Sequence, residues 1–119
     1  MPRVAGPAQY RLTGSSAFEH VFHAGRRREG NYLQVVFAPA RAEIGRVGYV
    51  IGRKALSRAV DRNRIRRMLR PIVHAARWRL EGYDVIVRLK KASTRAEFPV
   101  IAAEAQRLLE AMPVRGSQS

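Results

Sequence analysis

The fold of this 119-residue chain is decided between residues 46 and 89, which have the sequence RVGYVIGRKALSRAVDRNRIRRMLRPIVHAARWRLEGYDVIVRL. Residues 46–52 alternate apolar with other side chains, and residues 83–89 are rich in β-forming side chains, so both predict strands. Between them, residues 56–80 repeat apolar side chains at the helical period, and Gly82 ends that helix. The segment therefore predicts a strand, a long helix and another strand in succession.

The predicted long helix has one apolar and one basic side. Its apolar stripe comprises Ile65, Leu69, Ile72, Val73, Ala76 and Leu80. Its opposite side comprises Asn63, Arg66, Arg67, Arg70, His74 and Arg77. Arg62 falls near the apolar stripe, but in the first turns, from which its side chain can reach past the sheet edge. Pro71 removes one backbone hydrogen bond inside the helix, so we expect a kink there.

On the N-terminal side, the spacing of Ser16 and Glu19 is that of a capping box, which predicts the start of a short helix. Gly25 is a natural residue to end it. Phe18 and Phe22 are four residues apart and therefore share one face of this helix.

The remaining elements complete an α+β pattern. Arginines at residues 26–28 predict a basic loop, and residues 31–38 predict a strand. Thr94 with Glu97 forms a second capping box, which opens a helix that Pro113 stops. The predicted order is helix, two or three strands, helix, strand and helix, which places the helices over a small sheet. The length predicts a single domain.

The charge of the chain is strongly positive. There are 23 basic and 9 acidic residues, a formal net charge of +14, and Lys54, Lys90 and Lys91 are the only lysines. Residues 53–79 contain ten basic residues and a single acid, Asp61. A solvated helix face interleaves both signs, whereas like charges at this density repel one another unless they meet an anion. The pattern indicates a polyanionic partner such as nucleic acid.

Several classes of protein are disfavoured. The chain has no cysteine, which excludes disulfides and cysteine zinc sites. Its first residues lack the apolar segment of a secretory signal, and no apolar run has the length of a membrane span. We therefore expect a soluble cytoplasmic protein without membrane partners. Its core should span about residues 11–112, with flexible ends at residues 1–10 and 113–119.

An active site within the chain is poorly supported by its residues. His20 and His23 share a helix face, but no acid joins them, so a surface pair is the better interpretation. Asp61 and Asp84 are candidates for paired metal-binding carboxylates, although ion pairs or loop roles fit them better. We predict neither catalytic nor metal-binding residues in the protein.

The segment AVDRNRIRRMLR at residues 59–70 resembles the arginine-asparagine-arginine motif of bacterial ribonuclease P proteins. Residues 11–22, with Phe18 and Phe22, resemble the first helix of this family. RVG at residues 46–48 and GRK at residues 52–54 resemble its strand and basic turn, and GYDVIV at residues 82–87 resembles its last strand. The resemblance covers residues 11–112 in consistent order. Pro71, Gly52 in place of a common serine, and arginine in place of several lysines depart from the family pattern.

This resemblance implies a fold and an activity. The fold would be α-β-β-β-α-β-α with a left-handed βαβ crossover, whereas general topology favours the right-handed one. The activity would be that of the protein subunit of an endoribonuclease that matures the 5′ end of tRNA. A catalytic RNA subunit would perform the hydrolysis with Mg²⁺ ions, bound mainly by the RNA. The protein would act as a monomer, one copy per RNA, and would bind the 5′ leader of precursor tRNA.

The resemblance also assigns residues to two surfaces. The surface for the catalytic RNA subunit comprises Arg53, Lys54, Asn63, Arg64, Arg66, Arg67 and Arg70. The cleft for the precursor-tRNA leader comprises Phe18, Phe22, Tyr32 and Arg62. Aromatic platforms beside a basic groove are how proteins hold single strands. If Leu33, Val35 and Phe37 are core, strand parity turns Tyr32 and Gln34 to the cleft. A slip of one residue in the alignment would place Val35 in the cleft instead. For Phe22, the alternative interpretation is ordinary packing in the core.

Three rival functions share parts of this pattern. A small ribosomal-type protein that binds structured RNA would have the same charge but no need of an aromatic cleft. A protein-only nuclease would cleave RNA by itself with a metal ion. A DNA-binding or membrane-surface protein would bind duplex DNA or anionic lipid equally well.

Overall fold

The computed structural model describes residues 12, 14–40 and 45–113, which form one four-stranded sheet with helices on both faces. The elements are α1 (Ser15–Ala24), β1 (Arg26–Glu29), β2 (Leu33–Pro39), β3 (Val47–Ile51), α2 (Ala59–Ala75), α3 (Arg77–Leu80), β4 (Tyr83–Leu89) and α4 (Phe98–Glu110). A single 3₁₀ turn, Arg95–Glu97, precedes α4. This is the predicted α+β order. The predicted flexible ends lie outside the described residues, apart from Pro113.

The sheet is mixed and has the strand order β1-β2-β4-β3. β2 is antiparallel to both β1 and β4, whereas β3 and β4 are parallel and are joined by the crossover through α2 and α3. Leu33, Ile51 and Leu89 are aligned across the sheet. The start of β2 therefore lies at the same end of the sheet as the ends of β3 and β4. The left-handed sense of the crossover stays a prediction from the resemblance.

Each face of the sheet has its own core, because the side chains of a strand alternate between faces. The larger cluster comprises Leu33, Val35 and Phe37 of β2 together with buried residues of α2 and α4, among them Ile65, Leu69, Ile101 and Leu109. The smaller cluster comprises Leu12, Val21, Val36, Ala38 and Ile86, with Phe18 and Phe22 of α1 packed against it. We call the second side of the sheet the α1 face.

The arginines at residues 26–28 form strand β1 rather than the predicted loop. They pair with residues 35–37 of β2 in an antiparallel register. An edge strand tolerates such a sequence because long basic side chains can reach solvent from either face while their stems cover apolar surface. Arg26, for example, holds its guanidinium carbon 5.5 Å from the centre of the Phe37 ring. Composition alone gave no sign of this strand.

Of the two predicted capping boxes, only the second is present. Thr94 donates its backbone N–H to the Glu97 carboxylate at 2.7 Å, and the box opens the 3₁₀ turn before α4. The prediction for Ser16 and Glu19 is wrong, because α1 begins at Ser15 after Gly14 and has no side-chain cap. Gly14 has a φ of 88°, a conformation that favours glycine, and its carbonyl accepts the first helical hydrogen bond.

The predicted helix over residues 56–80 is divided into two. α2 continues through Pro71 to Ala75, because the exposed proline ring costs only one backbone hydrogen bond and faces solvent. The interruption comes at Ala76, whose N–H reaches the carbonyls of Ile72 and Val73. After α3, Gly82 ends the crossover with a φ of 84°. Pro71 therefore does not end α2, the helix that carries the arginine-asparagine-arginine motif.

Glu104 joins α4 to the start of β2. Its side chain is 3% exposed. Its carboxylate accepts hydrogen bonds from the backbone N–H groups of Asn31, Tyr32 and Leu33 at 2.8, 2.8 and 2.7 Å. Gly30 allows this approach, since a Cβ there would overlap the carboxylate. The position of the segment before β2 thus depends on one buried acid far away in sequence.

We expect stability to fall with rising pH above about 10 because of Tyr49. Burial raises the pKa of this phenol to about 12, whereas an unfolded tyrosine titrates near 10. The unfolded chain therefore loses its proton first. Stability is fully present below about pH 10 and declines by roughly 1.4 kcal/mol per pH unit between about pH 10 and 12. Urea unfolding across this range measures the decline. Tyr49→Phe should flatten it, and an equally steep decline in that variant would contradict the assignment.

Candidate nucleic-acid interface

The exposed side of α2 is a face of unpaired arginines. Arg64, Arg67 and Arg70 are exposed, and none of them has a hydrogen-bond or ion-pair partner among the described residues. Three residues of the opposite side, Ile65, Leu69 and Val73, are buried, so packing of the apolar stripe on the sheet fixes the direction in which the arginines point. We call this side of α2 the arginine face. It meets the geometric requirement for binding a polyanion.

Two residues of the predicted motif make local contacts instead. Arg66 donates to the Asn63 side-chain oxygen at 3.2 Å, so the two present a joined polar group on the arginine face. Arg62 donates through one nitrogen to the carbonyls of Leu56 and Ser57 at 2.8 and 2.9 Å. Arg62 therefore holds the segment that leads into α2. Its side chain stays outside the core, as its position in the first turns predicts.

The basic turn after β3 extends the arginine face toward one end of the sheet. Arg53 and Lys54 are exposed, while the next two residues, Ala55 and Leu56, are buried and anchor the turn. Both of these donate their backbone N–H groups to the Gly52 carbonyl at 3.1 Å. Because β2 starts where β3 and β4 end, this turn lies at the same sheet end as Lys90 and Lys91.

The α1 face presents two partly buried aromatic rings. Phe18 and Phe22 both pack against the smaller core cluster and retain partial exposure. The Phe18 ring lies against β3 at Gly48, where any Cβ would come within 2.5 Å of the ring. The Phe22 ring has the Arg27 guanidinium at 5.8 Å from its centre, and Arg27 also donates to the Phe22 carbonyl at 2.9 Å. Core packing and partial exposure are thus combined in both residues.

A row of polar side chains crosses the same face toward the end of the sheet. Gln34 is 7% exposed. It donates to Glu29 at 2.7 Å and accepts from Arg88 at 3.2 Å. Lys90 forms an ion pair with Glu29 at 2.6 Å. The hydrogen bonds from Lys90 and Gln34 lower the pKa of the Glu29 carboxyl. Beyond the two aromatic rings, the α1 face is therefore polar and has more basic than acidic side chains.

Of the predicted cleft residues, Arg62 is on α2, on the opposite side of the sheet from Phe18 and Phe22. Tyr32 does not join these two rings either. It packs against the larger core cluster, on the side of α4. Its hydroxyl donates to Glu97 at 3.0 Å, which raises the pKa of the phenol, and the Lys91 ammonium lies 4.7 Å from the ring centre. The parity argument is wrong for Tyr32 because this residue precedes β2 and is oriented by the Glu104 contacts. It holds for Gln34, which shares the α1 face with Val36.

The alternative placement of Val35 in the cleft is also wrong. Val35 is fully buried in the larger cluster, and its neighbour Val36 occupies the α1 face. Arg27 and Arg88 are residues of the α1 face that the sequence reasoning missed. Arg88 was detectable as the only basic residue of its strand, at the same parity as Ile86. Arg27 was not detectable, because the sequence of residues 26–28 predicts a loop and not a strand.

Each of the two candidate catalytic carboxylates forms an ion pair with an arginine. Asp61 pairs with Arg95 at 2.9 Å, and the buried Asp84 accepts from the backbone N–H and the guanidinium of Arg46. These ion pairs confirm the preferred interpretation of both residues. Within residues 12, 14–40 and 45–113, no group of three or more His, Cys, Asp or Glu side chains has metal-binding geometry. No helix in the described part of the chain has the length and apolarity to cross a membrane.

An arginine face on the crossover helix and two partly exposed aromatic rings on the other side of a small mixed sheet are typical of a basic α+β protein of the RNA-binding class. Comparisons with known proteins narrow this class. The family model of Ribonuclease P matches residues 7–113. The ribonuclease P protein component of Acidothermus cellulolyticus is 40% identical over 106 residues, covering 87% of this chain and 88% of the relative. That of Synechococcus sp. is 38% identical over 109 residues, covering 87% and 82%.

Solved structures agree in fold. The RNase P protein of Staphylococcus aureus has a TM-score of 0.68 at 20% identity, covering 87% of this chain and 91% of the other. That of Thermotoga maritima has a TM-score of 0.66 at 21% identity, covering 91% and 98%. The chain belongs to the ribonuclease P protein family. Its role is that of the protein subunit in the 5′ processing of tRNA.

Proposed function

We propose that the arginine face of α2 binds the catalytic RNA subunit of ribonuclease P, while the α1 face holds the single-stranded 5′ leader of precursor tRNA. The observation that carries the proposal is the unpaired state of Arg64, Arg67 and Arg70 beside a single acid, Asp61, that is already neutralised. The like charges on this helix surface repel one another unless phosphates neutralise them. Arg53, Lys54, Asn63 and Arg66 extend the same surface.

The α1 face suits an unpaired strand. Phe18 and Phe22 offer partly exposed ring faces on which bases can stack, and Arg27, Arg88 and Lys90 supply positive charge for the backbone. Arg62 lies near the start of α2, where its remaining guanidinium nitrogens can meet a phosphate. The leader surface proposed here thus replaces Tyr32 with Gln34, Arg27 and Arg88.

In this proposal the RNA subunit performs the phosphodiester hydrolysis, with Mg²⁺ ions that it binds itself, and the protein supplies no catalytic residue. The ion pairs of Asp61 and Asp84 support this division of labour, because neither carboxylate is left to hold a metal. The protein would act as one copy per RNA and as a monomer in the cytoplasm. Its net charge of +14 opposes self-association without RNA.

The test is cleavage of a precursor tRNA at low magnesium by the protein alone, a bacterial catalytic RNA alone, and the two together. We expect a mature 5′ end only from the mixture. Cleavage by the protein alone, abolished by Asp61→Asn or Asp84→Asn, would make it a nuclease. No stimulation in the mixture would favour a ribosomal-type RNA-binding protein, and equal affinity for duplex DNA or anionic vesicles would favour the remaining rival.

Phe18→Ala should weaken binding of leader-bearing precursor tRNA by roughly 1–3 kcal/mol, the scale of one lost stack. Binding of mature tRNA should stay unchanged, because it lacks the strand that Phe18 would contact. Equilibrium binding to the assembled ribonucleoprotein measures both. Phe18→Leu serves as the control for lost packing, since it keeps apolar bulk against Gly48 and should show the same selective loss. Equal losses of affinity for both RNAs would contradict binding of the leader at the α1 face.

A further inference from the structure

Trp78 is a large aromatic side chain in solvent at the end of the crossover. It is 57% exposed, one of three exposed large apolar residues in the described part of the chain, with Val60 and Val100. It lies on α3, which follows the arginine face, and it is the only tryptophan of the sequence. Neither of the two proposed surfaces uses it. Tryptophan is enriched among the residues that carry most of the energy of a binding interface, whereas valine is under-represented there.

The indole is held in place by one of its neighbours. The Arg79 guanidinium carbon lies 4.5 Å from the Trp78 ring centre, and the same guanidinium donates to the Met112 carbonyl at 2.9 Å. One cation therefore covers part of the ring and ties it to the end of α4. Trp78 also lines a groove between α2 and α4, with Ile72, Leu109 and the acidic Glu110 in its wall. Such a preformed platform loses little side-chain entropy when a planar group stacks on it.

The arginine face leads directly to this platform. Asn63, Arg67, Arg70 and His74 are exposed and spaced four, three and four residues apart, so they form one stripe along α2. Trp78 follows His74 after four more residues, and Arg77 beside it is exposed. From Arg62 to Leu80 the sequence contains no acid. Eight residues separate Arg70 from Trp78, which corresponds to about 12 Å at the rise of an α-helix.

We infer that Trp78 stacks an unpaired base of the same RNA that the arginine face binds, so that the RNA-subunit surface extends beyond Pro71 to α3. The inference rests on the proposed function of α2. The charge of this surface favours RNA as the occupant. A stripe of basic side chains without acidic ones attracts phosphate, whereas it repels a second copy of a chain with a net charge of +14. A stacked base between basic side chains is how proteins fix unpaired nucleotides of folded RNA.

Intrinsic fluorescence tests the inference without a label, because Trp78 is the only tryptophan. A bacterial catalytic RNA of ribonuclease P should quench the emission and protect the indole from acrylamide as it binds. Unchanged emission and unchanged acrylamide access at saturating RNA would overturn the inference. So would protection that develops with protein concentration alone, since the occupant would then be a second copy.

Affinity provides the second measurement. Trp78→Leu should weaken binding of the catalytic RNA by about 5- to 150-fold, the range of one lost stacked base, and Trp78→Tyr should largely restore it. Val100→Ala is the matched control, since Val100 is 56% exposed on α4 and should have no effect. Wild-type affinity of Trp78→Leu would overturn the inference and leave the proposed function intact. Absence of binding and stimulation by the wild-type protein would instead refute the proposed function.

Discussion

Replacing Arg64, Arg67 and Arg70 together by alanine should abolish tight binding of the catalytic RNA subunit. These side chains have no hydrogen bond or ion pair among the described residues, so the change removes positive charge without breaking either. Each lost phosphate contact should cost at least about 1 kcal/mol, which gives a combined loss on the order of 100-fold or more. Filter binding or calorimetry at several salt concentrations measures it.

The salt dependence separates phosphate contact from a general loss of charge. Three lost contacts should reduce the slope of log K against log salt by about 2–3 units. Arg107→Ala is the control for loss of a single arginine, because Arg107 is 67% exposed on α4 and its ion pair with Glu104, at 3.9 Å, is long. The control should change affinity and slope little. A triple variant with the slope of the wild-type protein would show that these arginines do not contact phosphates.

Replacing Glu104 by alanine should have the largest effect on stability. Its carboxylate accepts from three backbone N–H groups before and at the start of β2, and no neighbouring group replaces it in that position. Leaving buried donors without an acceptor, beside a cavity, should cost about 3–5 kcal/mol. Since domains of this size have about 5–15 kcal/mol in all, the variant should be close to unfolding. Urea unfolding followed by circular dichroism measures the loss.

Two further variants keep this prediction informative if Glu104→Ala does not fold. Glu104→Gln keeps one carbonyl oxygen and should lose about 1–3 kcal/mol, because its amide group faces a donor instead of accepting from it. Glu110→Gln, exposed on the same helix, should be nearly neutral. Similar stabilities of Glu104→Gln and Glu110→Gln would show that the hydrogen bonds to β2 contribute little.

Much of the fold was predictable where a pattern repeats over many residues. The alternation in residues 46–52 and the apolar residues of 83–89 correspond closely to β3 and β4. Predictions that depended on a single spacing were less secure. Thr94 and Glu97 form a capping box and Ser16 with Glu19 do not, because a cap also requires the chain before it to turn correctly. At α1 that turn is made by Gly14.

The candidate site was predictable on α2 and only partly predictable on the α1 face. The arginine face follows from helical period and charge, which are local properties of the chain. The opposite face combines residues of α1, β1, β2 and β4, so its composition depends on strand order and register. Tyr32 is not on this face because the Glu104 contacts before β2 direct it towards α4, and Arg27 is on it because residues 26–28 form β1.

The sequence by itself determined the class of the fold, the polyanionic partner and the direction of the arginine face. Each of these follows from periodicity, charge and motif, which involve residues close together in the chain. Only the tertiary structure decided that β1 exists, that Tyr32 faces α4 and that Trp78 lies at the end of the arginine face. The physical reason is that these features depend on long-range contacts, such as that of Glu104 with Leu33 and that of Arg79 with Met112.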